Sequence, residues 1–167
     1  MSWVISHAPG PGSTITLVSA YAPTLASPED TKDEFYEQLD RVLTSVPYHH
    51  KLILMCDFNA RVGRDSEAWE KILGKHGLGN ENSNGTRLLT LCAVHQLSIT
   101  NTLFQQKNRR KTSWRHPRSG HWHLIDYIIV RQRDVSDVCL TRSFRGPTCW
   151  SDQCLIRSKL SIHIRYQ

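Results

Sequence analysis

With 167 residues and 39% apolar content, the chain has enough material for one core and too little for two ordinary domains, so a single domain over residues 1–167 is expected. No apolar run approaches bilayer length and the start lacks a signal peptide's charged opening and long apolar centre, which excludes a membrane role and predicts an intracellular protein, nuclear or cytoplasmic. A charge of +6 favours a polyanionic partner or a solubilising surface, and five cysteines without paired short spacing argue against a zinc site or disulfide framework.

Residues 8–12, rich in proline and glycine, read as a loop. Residues 13–22 follow as a strand by their β-branched content, ended by Pro23. Tyr21 therefore stands at a strand end, either as a packing aromatic or with its hydroxyl aimed at a substrate. A helix is predicted from Ser27 as N-cap with Pro28 at the first helical position, and Phe35, Leu39, Val42 and Leu43 recur at helical spacing up to Pro47.

The apolar run 52–56 reads as a buried strand that delivers Asp57 and Asn59 to the end of a sheet. In extended chain these two face the same way, offering an anionic and an amide oxygen to a hydrated metal or a phosphoryl group; a turn built on the same residues is the plainer alternative. A strand-helix-strand order of this kind argues for an α/β layered domain. Residues 64–84 look irregular, and a loop that long is usually functional or mobile. Asn84 then caps a helix bearing Leu88, Leu89, Leu91 and Cys92, with a short strand at 97–100.

Residues 105–118 carry Lys107, Arg109, Arg110, Lys111, Arg115 and Arg118 around Trp114, a mixture suited to phosphates and a stacked base, though a solvated loop would look similar. Strands are predicted at 112–116 and 124–130, the second holding Asp126, an acid that is costly in an apolar run unless it pairs or works. The segment 150–154, with Asp152 and Gln153, precedes a last strand in which Ile156, Leu160, Ile162 and Ile164 alternate with basic residues.

Tyr21 with Pro23, Asp57-Phe58-Asn59, Trp114 with Ile125-Asp126-Tyr127, and Ser151-Asp152 occur in the order found in the endonuclease/exonuclease/phosphatase superfamily, which the sequence resembles. More narrowly, residues 56–63 together with 84–89 look like the apurinic-type endonuclease domain of RTE or BovB non-LTR (LINE-type) retrotransposons. The resemblance implies a DNase I-like, four-layered α/β sandwich that cleaves DNA phosphodiesters with Mg2+. Under it, Asp57 positions or deprotonates the attacking water, Asn59 contacts the phosphate and orients Asp57, Tyr21 binds the phosphate or leaving oxygen, and Asn84 lies nearby. Asp152 and Asp57 assist the metal, Asp126 orients the residue after Asp152, and Arg61, Arg109, Arg110, Lys111, Trp114 and Arg115 are the candidates for nucleic-acid contact.

Two departures bear on activity. Gln153 stands where the superfamily has a histidine, and an amide donates a hydrogen bond without carrying charge or a proton. The superfamily's opening strands, with an Asn and a metal-binding Glu, have no counterpart in residues 1–13. An incomplete sandwich is therefore expected, with weak Mg2+ binding and impaired catalysis, or else an inactive remnant that binds nucleic acid or protein; a second copy or a protein partner is expected over the exposed sheet edge.

Overall fold

In the computed structural model, the residues described are 4–10, 13–145 and 152–162. Cys149, Trp150, Ser151 and Ile164, each part of a sequence expectation, lie outside them. The chain opens with a hairpin, β1 (Val4–Gly10) against β2 (Ser13–Tyr21). This corrects the loop expected at 8–12 for residues 8–10, while 11 and 12 lie outside the described residues. β1 is an outer strand, where a missing proline N–H is tolerated, and Pro9 sits opposite Thr14.

After β2 come α1 (Glu29–Ser45) and β3 (Lys51–Asp57), which pairs parallel to β2. The helix starts one residue later than the sequence suggests. Pro28 is the N-cap without a side-chain bond, and the Ser27 hydroxyl instead pairs with that of Thr24 at 3.1 Å. Glu29 and Asp30 still meet the positive end of the helix dipole. The short strands β4 (Val62–Gly63) and β5 (Leu78–Glu81) pair with each other, so 64–84 is less irregular than its composition implies. Ile72 and Leu73 are buried in that segment. The Gly74 N–H meets Thr102 Oγ1 at 2.8 Å, and a Cβ on Gly74 would lie 2.4 Å from the Thr102 carbonyl oxygen.

Helix α2 (Ser83–Val94) leads to β6 (Leu97–Ile99), whose predicted last residue begins a 3-10 turn, Thr100–Thr102. The strand expected at 112–116 shortens to β7 (Trp114–Arg115), paired with β8 (Trp122–His123). Next come β9 (Asp126–Arg131), β10 (Val138–Phe144) and β11 (Leu155–Leu160). Asp126 thus opens its strand instead of lying inside it, and β11 stops before Ile162.

The main sheet runs β1-β2-β3-β9-β6, with β9 antiparallel to both neighbours, and β10-β11 form a second sheet. Alternation along β3 feeds two cores. Leu52, Leu54 and Cys56 pack with Phe35, Leu39 and Leu43 of α1 and Leu88, Leu89 and Cys92 of α2. Ile53 joins Ile128 and Val130 of β9 under Val138, Ile156 and Leu160 of the second sheet. Helices, main sheet and second sheet are therefore three layers of the expected α/β sandwich. Arg87 pins α2 to α1 through Asp33 and Glu29, each at 2.6 Å. Of the four described cysteines, Cys56, Cys92 and Cys154 are buried and Cys139 is exposed.

Candidate active site

Strand register brings three of the predicted residues into one row. Tyr21 ends β2 beside Asp57 at the end of β3, and Asp57 lies directly across from Asp126 at the start of β9. Asp57 shares the parity of Ile53 and Met55, which face the second sheet. Both acids therefore open into the groove between the sheets, a cavity of about 480 Å³ lined also by Met55, Gln153, Leu155 and Ile156. Tyr21 is exposed at the rim.

Asp57 is gripped from two sides. Its Oδ1 accepts the Asn59 N–H at 2.9 Å, and its Oδ2 accepts the Gln153 side-chain amide at 3.2 Å. Burial raises the Asp57 carboxyl above its ordinary value, and these two donors work against the rise. Asn59 is not the extended neighbour anticipated from its spacing. It adopts a left-handed φ of 46°, which turns the chain and sends its side chain to the Ala22 carbonyl at 2.9 Å. Its contribution to Asp57 comes through the backbone N–H.

Asp126 sits deeper. Burial pushes its carboxyl up to about 6, the Ser113 hydroxyl opposes that, and the negative charge of Asp57 adds to it. Asp126 Oδ2 is buried without a hydrogen-bond partner among the described residues. Ser113, which the sequence reading passed over, accepts the N–H groups of Ile125 and Asp126 at 3.1 and 3.2 Å. The same region fixes Asp152: its Oδ2 accepts from Trp114 Nε1 at 3.3 Å and its carbonyl from the Arg115 N–H at 2.7 Å. Trp114 also bridges to Gln153, which carries the amide to Asp57.

Asn84 is 2% exposed and braces the site from behind. Its amide donates to the Asn59 and Pro23 carbonyls at 3.0 and 3.4 Å. The cap expected of Asn84 falls instead to Asn82, whose Oδ1 accepts the N–H groups of Gly85 at 2.8 Å and Arg61 at 3.0 Å. A Cβ on Gly85 would lie 1.8 Å from the Arg61 carbonyl oxygen, so glycine is required where the loop meets the helix. An Asn three residues before a Gly at a helix start was the available signal.

The predicted nucleic-acid residues divide. Arg61 and Trp114 line a hollow of about 420 Å³ beside Asn59, and Arg109 and Arg110 are exposed on a 3-10 turn, Asn108–Arg110. Lys111 donates to the His76 carbonyl at 2.8 Å, and Arg115 Nε to the Gly120 carbonyl at 3.3 Å, so both side chains brace loops. As for a metal, no group of three or more His, Cys, Asp or Glu side chains placed to hold an ion occurs among the described residues. Asp57 and Asp152 already accept hydrogen bonds, and the residues do not fit a tight magnesium site, which asks for near-octahedral oxygens.

The endonuclease-reverse transcriptase family model matches residues 15–156. Craniofacial development protein 2 from Bos taurus is 38% identical over 151 residues, and that from Tragulus javanicus 37% over 151 residues. These alignments cover 90% of the chain but 25% and 26% of the relatives, so the chain spans about a quarter of their length. Among solved structures, the endonuclease domain of TRAS1, a telomere-specific non-LTR retrotransposon, superposes with a TM-score of 0.68 at 17% identity, covering 96% of this chain and 64% of that one. A 3'-5' exonuclease (NExo) from Neisseria meningitidis gives 0.64 at 17% identity, covering 89% and 62%. The α/β fold is thus DNase I-like.

Proposed function

The chain belongs to the endonuclease-reverse transcriptase family, and from that premise we propose that it is a retrotransposon-derived, DNA-directed endonuclease-like domain over residues 1–167 whose phosphodiester hydrolysis is impaired. One observation carries the reading: Asp57 and Asp126 are cross-strand partners at the mouth of the groove, with the Gln153 amide on Asp57. Asp57 is the acceptor toward an attacking water, and Tyr21 and Gln153 are donors toward phosphoryl oxygens. Asn59, Asn84, Asp126 and Ser113 are positioning residues. Asp152 and Asp57, which do not make a tight magnesium site, are the proposed contacts for a weakly held Mg2+.

Gln153, an amide where a proton carrier would serve hydrolysis, weighs toward binding over turnover. An inactive remnant that binds nucleic acid or protein is accordingly the second reading. A partner over the groove side of β11, where Leu155 is 68% exposed, belongs to the same proposal. No helix among the described residues is long and apolar enough to cross a membrane.

Binding to a labelled DNA duplex, followed by anisotropy, is expected to weaken steeply with salt and to show little sequence preference, because phosphate contacts release counterions. Paired Arg109→Glu and Arg110→Glu substitutions should weaken it further. Absence of binding at low salt, or binding indifferent to salt, contradicts the DNA reading. A calorimetric magnesium titration of the chain should show no saturation near one equivalent; a tight stoichiometric isotherm would mean the carboxylates form a complete metal site.

A further inference from the structure

Three hollows on the structure join end to end through shared side chains. The one beside Asn59 includes Arg61 and His123, and these two also line a larger cavity of about 660 Å³. That cavity adds Trp122, Arg109 and Arg145, and the last two recur in a third hollow of about 320 Å³ with Arg110 and Arg142. Five arginines therefore follow one track leading away from Asp57, and among the described residues no Asp or Glu lines any of the three. A surface serving solubility alone would intersperse charges of both signs.

The middle cavity is organised as well as basic. Arg145 lies over the Trp122 ring, 4.0 Å from its centroid, and donates to the buried Thr112 hydroxyl at 2.8 Å. Its guanidinium is thus held in place, so less freedom is lost when an anion arrives. Trp122 and His123 are half-buried and line the cavity, and Phe144 is exposed in the third hollow. Cations alternating with aromatic faces match a nucleic-acid strand whose phosphates need charge and whose bases need stacking. A base enters a cavity of this kind only when it is unpaired.

We propose that the cavity bounded by Arg61, Arg109, Trp122 and Arg145 is a subsite for an unpaired nucleotide, so that the strand leaving the Asp57 site is held single-stranded along the arginine track. This rests on the DNA-directed reading above and specifies the form of nucleic acid. It also gives Arg142 and Arg145, far from the Asp57 motif in sequence, a role in ligand binding.

Anisotropy in EDTA with labelled oligothymidylate and oligouridylate of about twenty nucleotides, and a duplex of the same length, tests it. Both single strands should bind about tenfold tighter than the duplex, and the better of the two identifies DNA or RNA as the source. Trp122→Ala and Arg145→Glu should each weaken single-strand binding about tenfold and duplex binding much less, while Arg41→Glu, a charge reversal on the exposed face of α1, leaves both unchanged. Circular dichroism checks folding, and Trp122→Ala decides the matter should Arg145→Glu fail to fold. Duplex bound as tightly as single strands, or equal losses on both forms, overturns the subsite while leaving the DNA-directed reading in place. Binding to none of the three at low salt overturns that reading as well.

Discussion

Phe58→Ala is expected to destabilise the chain by about 3–5 kcal/mol, the usual cost of emptying a buried aromatic site. Phe58 is fully buried, its ring centroid lies 6.3 Å from that of Tyr127, and its N–H meets the Ile125 carbonyl at 2.9 Å. It therefore joins the turn after β3, where it stands between Asp57 and Asn59, to the approach to β9. A thermal melt should fall by about 10 °C; a change within about 2 °C would mean that the turn is held without the ring.

Asp126→Asn should act in the opposite direction at neutral pH. The Asp126 carboxyl is raised from 3.8 to about 6 in the fold, so the folded state favours its neutral form. That contribution to stability is fully present below about pH 4 and is lost as pH rises through about 6. Asparagine stays neutral throughout. The variant should match the parent near pH 4 and exceed it at pH 7 by on the order of 3 kcal/mol, the equivalent of the shift. Asp57 is raised too, so part of the pH dependence persists in the variant. Urea midpoints from about pH 4 to 7 in EDTA measure this. A variant no more stable than the parent at pH 7 contradicts a carboxylate strained by burial.

The parts legible in the sequence were those written in local pattern. The unbroken apolar run of β3 and its terminal Asp57 identify a buried strand end, and the spacing of Phe35, Leu39 and Leu43 identifies α1. What escaped depends on pairing between distant segments. β1 is hidden by Pro9, which an outer strand accepts because its N–H side needs no partner. Asn82 and Asn84 are alike in residue type; only backbone direction makes the first a cap and the second a buried brace. Lys111 and Arg115 count as free cations in composition, but a long-range contact with the His76 carbonyl and a contact across the loop with the Gly120 carbonyl occupy them. The reach of Gln153 to Asp57 spans 96 positions, beyond any local signal.

The proposed function is a nuclease-like site without turnover. Supercoiled plasmid incubated with magnesium and the chain, its Asp57→Ala variant and its Gln153→His variant tests it most directly. A histidine at 153 would offer a protonatable donor worth on the order of 3 kcal/mol in charge stabilisation. Residues that act as a unit contribute non-additively, and if the metal is held only weakly, as proposed, that donor alone returns little. The prediction is plasmid bound by all three proteins, with nicking at background level in each. Robust magnesium-dependent nicking by the parent or by Gln153→His, abolished when Asp57→Ala is added, would contradict the account and make this a complete enzyme.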